Sequence, residues 1–346
     1  MMTPRRIASL AAALAATLLV GALIAADLGS AQTLGPTSGI TRITFQILTG
    51  STGGTYFPVG QLMAGLLSHP PGVDRCENGD ACGPPGLIIS ARSSDGAVEN
   101  VLAVNAGRAE SGLAQGDVIA QAVAGTGPFR KSGKQANVRV IADLFVEDVH
   151  LLVAKNAKIA GVADLKGKRV SLGADSSGTA VTARAVLGAY GIGEWRMKMQ
   201  HDSTDVAAAL LQKGQLDAFF FVGGSPVALV QDLIERGVAR LVPIDGKGRD
   251  KLLKSVPALA TGVIPAGTYR GTPAIQTVSL HALWIVGARQ PEPLVYGLTR
   301  ALFNSANRDP LSANHSAGQI RLATATVALP APLHPGALRY YRATKR

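Results

Sequence analysis

From residue 43 onward the chain alternates between two kinds of apolar run. Short, dense runs at 43–48, 87–90, 111–115, 169–172, 197–200, 218–222 and 241–244 have the length of buried strands. Between them, 57–67, 96–106, 118–124, 179–190, 205–213 and 226–236 carry apolar residues at helical spacing. Pro58 suits the first turn of its helix, and Gly191 and Gly214 end theirs. Runs 138–145 and 150–154 read as two adjacent strands, with Glu147 and Asp148 at the turn between them. Residues 245–276 read as loop-rich, 277–287 as a central strand returning to the first domain, and 294–305 as a helix opened by Pro293. The Pro-rich tail from Pro330 is expected on the surface. No internal repeat of fixed period is present. This alternation predicts an α/β fold with mostly parallel sheets and ligand groups at the C-terminal ends of strands.

Two loops stand out against that pattern. The first is Thr49-Gly50-Ser51-Thr52-Gly53-Gly54-Thr55-Tyr56, directly after the run at 43–48. The second is Gly173-Ala174-Asp175-Ser176-Ser177-Gly178-Thr179, directly after the run at 169–172. Each leads from a strand into a helix. The first N–H groups of a helix have no intrahelical partner and lie at the positive end of its dipole, so they attract anions. Glycine also serves ordinary turns, so one such loop says little. Two of them predict a cleft that grips a small anionic ligand between two halves of the molecule.

The N-terminus is of a different kind. Arg5 and Arg6 precede an Ala- and Leu-rich run at 7–26, and small residues follow at 29–31. This reads as a secretory signal peptide over 1–31, cleaved before Gln32, which makes the mature protein periplasmic. The competing reading is an uncleaved anchor, because 20 apolar residues can span a bilayer. Net charge is +11 for the 346 residues. The first 31 residues hold Arg5, Arg6 and Asp27, a net +1, leaving +10 for the rest. That balance favours acidic solutes through long-range attraction. Nucleic acid is not expected as a partner: the basic residues are scattered, aromatics are 5%, and no recognition motif occurs.

Cys76 and Cys82 are six positions apart, and in an oxidising compartment such a pair reads as a disulfide. Half a metal site is the alternative, but the nearest histidine, His69, has no second ligand pair to join. No metal and no cofactor are therefore expected. The sequence contains no Gly-x-Ser-x-Gly elbow, no His-Glu-x-x-His and no Walker motif. The six histidines are dispersed. The stretch 50–56 is not a dinucleotide fingerprint, since the third glycine is misplaced. Nothing argues positively for an enzyme. The groups at strand ends suit binding instead: Ser94 after the second strand, Gln115 and Asp117 ending the third, Glu147 before His150, and Phe221 and Gly223 at the end of the strand at 218–222. Ser94 and Asp117 double as helix caps.

The order of motifs resembles the TAXI family of extracytoplasmic solute receptors, which serve TRAP transporters. The resemblance spans about residues 41–342. It rests on TGSTGGTYFPVG at 49–60, the Cys76/Cys82 segment followed by GPPGL at 83–87, SGLAQGD at 111–117 and DLKGKRVSLG at 164–173. Further matches are SGT at 177–179, FFVGGSP at 220–226 and HPGALRYY at 334–341. It implies a two-lobed periplasmic binding protein-like fold of type II, with two mixed or parallel sheets, two crossovers and a hinge. Lobe I is then 32–154 and 277–346, and lobe II is 155–276. It also implies a partner, a TRAP-type fused membrane permease, and a small carboxylate ligand such as glutamate, 2-oxoglutarate or a related dicarboxylate. The expected ligand contacts are Thr52, Gly53, Gly54, Thr55, Tyr56, Ser94, Gln115, Asp117, Glu147, Ser176, Ser177, Gly178, Thr179, Phe221 and Gly223. Glu147 would meet an ammonium if the ligand is an amino acid. Asp95 stands where the family suggests a small uncharged residue. The protein is expected to be a monomer. The rival functions are a membrane-anchored ligand sensor, a secreted enzyme acting on a carboxylate, and an ABC-type receptor.

Overall fold

The structure, a computed structural model, describes residues 42–344 apart from 74, 75, 77–80 and 328. The expected signal peptide lies outside the described residues. The elements run β1 (Ile43–Leu48), α1 (Tyr56–Leu67), β2 (Leu87–Arg92), α2 (Ala97–Ala106), β3 (Ser111–Gln115), α3 (Gly116–Ala124) and β4 (Val138–Ala154). They continue with β5 (Arg169–Ser171), α4 (Gly178–Ala189), β6 (Lys198–Gln200), α5 (Thr204–Gln212), β7 (Ala218–Gly223), α6 (Ala228–Glu235), β8 (Ala239–Val242), α7 (Gly246–Ser255), β9 (Ala260–Ile264) and β10 (Ile275–Gly287). The chain ends with α8 (Glu292–Leu302), α9 (Arg308–Ser312) and α10 (Pro335–Thr344).

The strands pair in the order β2-β1-β3-β10-β4-β7-β5-β6, with β8 added on β4 and β9 on β10. Pairing is parallel within β2-β1-β3 and within β7-β5-β6, and antiparallel wherever β4 or β10 takes part. The α/β class and mixed pairing are as expected, but the strands form one continuous ten-stranded sheet instead of two. The two long strands join the parallel sets. Residues 138–148 of β4 lie beside β10 and residues 151–154 beside β8, whereas residues 148–153 turn the other edge to β7.

Period-two alternation along these strands sorts side chains onto two faces. Ala282, Trp284 and Val286 of β10 enter one core with Phe45 and the helices α1, α8 and α10. Leu283 and Ile285 enter the opposite one, under α2 and α3. Farther along β4, Val149, Leu151 and Val153 face α4 and α7, whereas Leu152 faces α5 and α6. Phe45 and Trp284 meet edge to face at 6.5 Å, a favoured aromatic geometry.

Three expectations are corrected here. Runs 138–145 and 150–154 are one 17-residue strand, and Glu147 and Asp148 lie inside it, paired opposite Leu280 and Ser279. Polar residues at the join imitate a turn in sequence, but strand pairing on both edges satisfies their backbone. The region 245–276 holds α7 and β9, whose alternation is masked by a polar helix with only Leu252 buried. The tail forms α10, which buries Ala337, Tyr340 and Tyr341; Tyr341 Oη donates to the Ile141 carbonyl at 2.9 Å. Cys76 and Cys82 form a disulfide, as expected.

Candidate functional site

The loops after β1, β2, β5 and β6 and the ends of β3 and β7 open on one cleft of about 550 Å3, mouth included. From the expected contacts it is lined by Gly54, Thr55, Tyr56, Ser94, Gln115, Ser177, Gly178, Thr179 and Phe221. Loop 49–55 and loop 173–177, far apart in sequence, thus meet in space. Parallel strands put all their following loops at the same sheet edge, which is why they converge.

Each loop is held in place by buried polar contacts. Asn100, fully buried, donates from Nδ2 to the carbonyls of Leu48, Thr49 and Leu113, so it welds the ends of β1 and β3. Ser94 Oγ donates to Asn100 Oδ1 at 2.7 Å and accepts from Gly96 N–H. Gly173 has φ +94°, and a Cβ there would lie 3.0 Å from the Thr179 side chain, so only glycine makes this turn without strain. Ser177 caps α4 by accepting from Ala180 N–H at 3.0 Å. The Ser176 carbonyl accepts from Val98 and Glu99 N–H, which closes the start of α2 from the opposite loop.

With α2 capped in this way, the anion-attracting groups left at the cleft belong mainly to α4. The N–H groups of Gly178 and Thr179 precede its first intrahelical bond. Two further polar atoms are buried without a hydrogen-bond partner: Gln115 Oε1, on a residue 2% exposed, and Thr55 Oγ1, on a residue 8% exposed. Buried polar groups are nearly always paired, so an unpaired pair on a cleft wall is chemically ready for a ligand. The lining residues include no Lys, Arg or His, and Asp95 is their sole charged member.

The other expected contacts lie elsewhere. Glu147 is buried behind Tyr56, accepts from its Oη at 2.8 Å, and does not line the cleft. Burial pushes its carboxyl up to about 8, so it is mostly neutral at pH 7 and is not presented to a ligand ammonium. Asp117 is buried between α3 and α4, accepting from Thr182 Oγ1 at 2.9 Å and from Val118 N–H; burial raises it to about 6. Gly223 backs Phe221 and Thr55. Thr52 and Gly53 face away from the cleft toward α6, and Thr52 contacts Asp205. Ser176 acts through its carbonyl.

Asp95, noted in the sequence, is on the wall; sequence reasoning missed Ser203 and Thr204 there, and Asp205 and Asn100 behind it. Ser203-Thr204-Asp205 carries a helix-start signature that marks α5 but not its position facing loop 49–55.

One cluster outside the cleft imitates a catalytic set. Ser225 Oγ lies 3.1 Å from His150 Nε2 and donates to Asp148 Oδ2 at 2.7 Å. His150 Nδ1 faces the Asp148 carbonyl instead of a carboxylate. A triad needs its carboxylate on the imidazole to hold the tautomer, so the cluster lacks that logic. It ties β4, β7 and β10 together, with Ser279 Oγ on Asp148 Oδ1 at 2.6 Å.

The fold is shared with solved periplasmic solute-binding proteins. The malate-bound MatC of Rhodopseudomonas palustris superposes with a TM-score of 0.52 at 15% identity, covering 87% of this chain and 97% of that one. The structure of a periplasmic transporter gives 0.50 at 12% identity, covering 87% and 92%. The alkanesulfonate-binding protein SsuA of Xanthomonas axonopodis pv. citri, bound to MOPS, gives 0.44 at 16%, covering 87% and 83%. At these identities the likeness is one of fold. The sequence matches the NMT1-like family over residues 47–343, and the chain belongs to that family.

Proposed function

We propose that this chain is an extracytoplasmic solute receptor that captures a small organic carboxylate and hands it to a TRAP-type membrane permease, as the TAXI resemblance implies. The observation that carries the reading is the meeting of loops 49–55 and 173–177 on one cleft, with the open N-terminus of α4 and the unpaired Gln115 and Thr55 atoms on its walls. Those groups suit non-covalent capture of an anion, which supports a receptor. The malate in MatC belongs to the same chemical class. Residues 1–31 are the signal peptide, and the mature chain is periplasmic.

In this reading lobe I is 32–154 with 277–346, lobe II is 155–276, and β4 and β10 carry the crossovers. The ligand carboxylate seats on α4, and closure of the other lobe completes its coordination.

A thermal-shift screen of the exported protein against small mono- and dicarboxylates, amino acids and sulfonates tests this. A ligand at 100 times its Kd stabilises by about 2.7 kcal/mol, which raises the melting point by roughly 5 °C in a chain of this size. A shift with sulfonates and none with carboxylates would sink the ligand class.

A further inference from the structure

The edge of the sheet that ends in β6 carries a surface patch that takes no part in the cleft. Trp195 is 81% exposed and is the one exposed aromatic among the described residues. Its ring is held in place. Arg196 Cζ lies 4.7 Å from the ring centre, a cation–π contact. A Cβ at Gly193 would run into Trp195 Nε1, so the indole lies against the Gly193 backbone. The short helical turn Glu194–Arg196 thus holds a large flat side chain out in water.

Four cations accompany it. Gly167 N–H donates to the Arg196 carbonyl at 2.7 Å, and Lys198 N–H to the Lys168 carbonyl at 2.8 Å. These bonds set loop 166–168 beside 196–198. Lys166, Arg196 and Lys198 are exposed, and Lys168 is half-buried. The acids nearby are engaged elsewhere. Glu194 and Asp175 pair with Arg184, and Asp217 pairs with Arg169. Asp164 Oδ2 accepts from Ala160 N–H. A single exposed apolar side chain is ordinary. An indole held among cations without acidic partners is a built surface.

We propose that the patch around Trp195 docks the protein on an anionic phospholipid surface, with the indole at headgroup level and Lys166, Arg196 and Lys198 on lipid phosphates. Indoles favour the membrane interface, where one part of the ring meets hydrocarbon and its N–H meets water. Lys and Arg are drawn to an anionic leaflet within a Debye length. A protein partner would call for an apolar core around the aromatic; the exposed residues beside Trp195 are charged, the pattern of a membrane-surface contact. Lys198 alone has a simpler use, because charge guards an edge strand against pairing, but that use needs no indole. The inference goes beyond the receptor reading: it lets a protein that serves a membrane partner search for it along the bilayer.

Trp195 is its own probe. The chain has two tryptophans, and the other, Trp284, is fully buried, so a change in emission on docking reports Trp195. The exported protein is titrated with vesicles of phosphatidylcholine alone and of phosphatidylcholine with about one third phosphatidylglycerol. The anionic vesicles should bind at least tenfold more tightly, shift the emission to the blue and release the protein as salt is raised. The positive charge of the whole chain attracts anionic surfaces without regard to position, so a charge-matched control is needed. In vesicle co-sedimentation, Arg196→Glu/Lys198→Glu should weaken binding at least tenfold. Lys131→Glu/Lys134→Glu, the same charge change in the turn after α3, should weaken it no more than threefold. Trp195→Ala should weaken it at least threefold. All five positions are exposed, so the variants should fold, which circular dichroism checks. No preference for the anionic vesicles overturns the inference and leaves the patch to a protein partner. Equal losses in the two double variants, or undiminished binding of W195A, also overturn it. None of these outcomes touches the receptor reading, which the solute screen decides.

Discussion

At the scale of single residues, the least expected feature is a buried carboxyl that holds its proton. Glu147 accepts from Tyr56 Oη, and burial lifts its carboxyl from 4.5 to about 8. The folded chain therefore binds this proton more tightly than the unfolded chain. The associated stability is complete below about pH 4.5 and drains away as pH rises toward 8. Asp117, lifted from 3.8 to about 6, adds the same trend at lower pH. His150, kept neutral by burial, works in the opposite direction below pH 6.5. The difference between variants isolates Glu147: Glu147→Gln should remove a loss of roughly 2–4 kcal/mol that the native protein suffers between pH 5 and 8. Chemical denaturation of both proteins at the two pH values measures it. Parallel pH profiles would show that Glu147 is ionised in the fold. In the sequence Glu147 looked like a polar turn residue facing a ligand. Its burial comes from Tyr56, 91 positions away, which no local pattern reveals.

At the scale of elements, the N-terminus of α4 is the part most tightly fitted. Gly178 lies so close to Gln115 that a Cβ would overlap its amide oxygen, and that Cβ would also stand 3.1 Å from Ala97 Cβ. Gly178→Ala should therefore push α4 away from β3 and α2. Helix propensity favours alanine by up to about 1 kcal/mol, so the helix itself should survive. We expect carboxylate affinity to fall at least tenfold, about 1.4 kcal/mol, with circular dichroism unchanged. Unaltered affinity would remove this helix start from the site. Both Gly/Ser/Thr loops were legible in the sequence because a strand, a short small-residue loop and a helix have a local signature. Their partners were not. Asp205, Asn100 and Ser203 lie on other elements, and only strand order brings them to loop 49–55.

At the scale of the whole molecule, β4 and β10 lie side by side and join two sets of packed layers. The pairing shifts at Ala282/Leu283 and Trp284/Ile285 mark where the ladder is irregular, and such irregularities bend strands. If the two sets are lobes that close on a ligand, small-angle scattering should show a smaller radius of gyration with saturating ligand. An identical scattering curve would argue for a rigid cleft. The disulfide belongs to the same scale because it lies away from the cleft wall. It closes a loop of sequence separation 6, so the Cys76→Ser/Cys82→Ser double variant should lose about 2 kcal/mol of stability and no ligand affinity. A loss of affinity would connect that loop to closure.

The sequence by itself determined the α/β alternation, the two Gly/Ser/Thr-rich loops and the cysteine pair, because each is written in residues close together or in a fixed order. Tertiary structure decided the rest. It made one 17-residue strand of two apparent strands, buried the tail helix, turned Glu147 into a proton-holding core residue and set Asp205 against loop 49–55. The physical reason is common to all four. Burial and long-range hydrogen bonds depend on which distant segments become neighbours, and the sheet order that makes them neighbours is a property of the assembled chain.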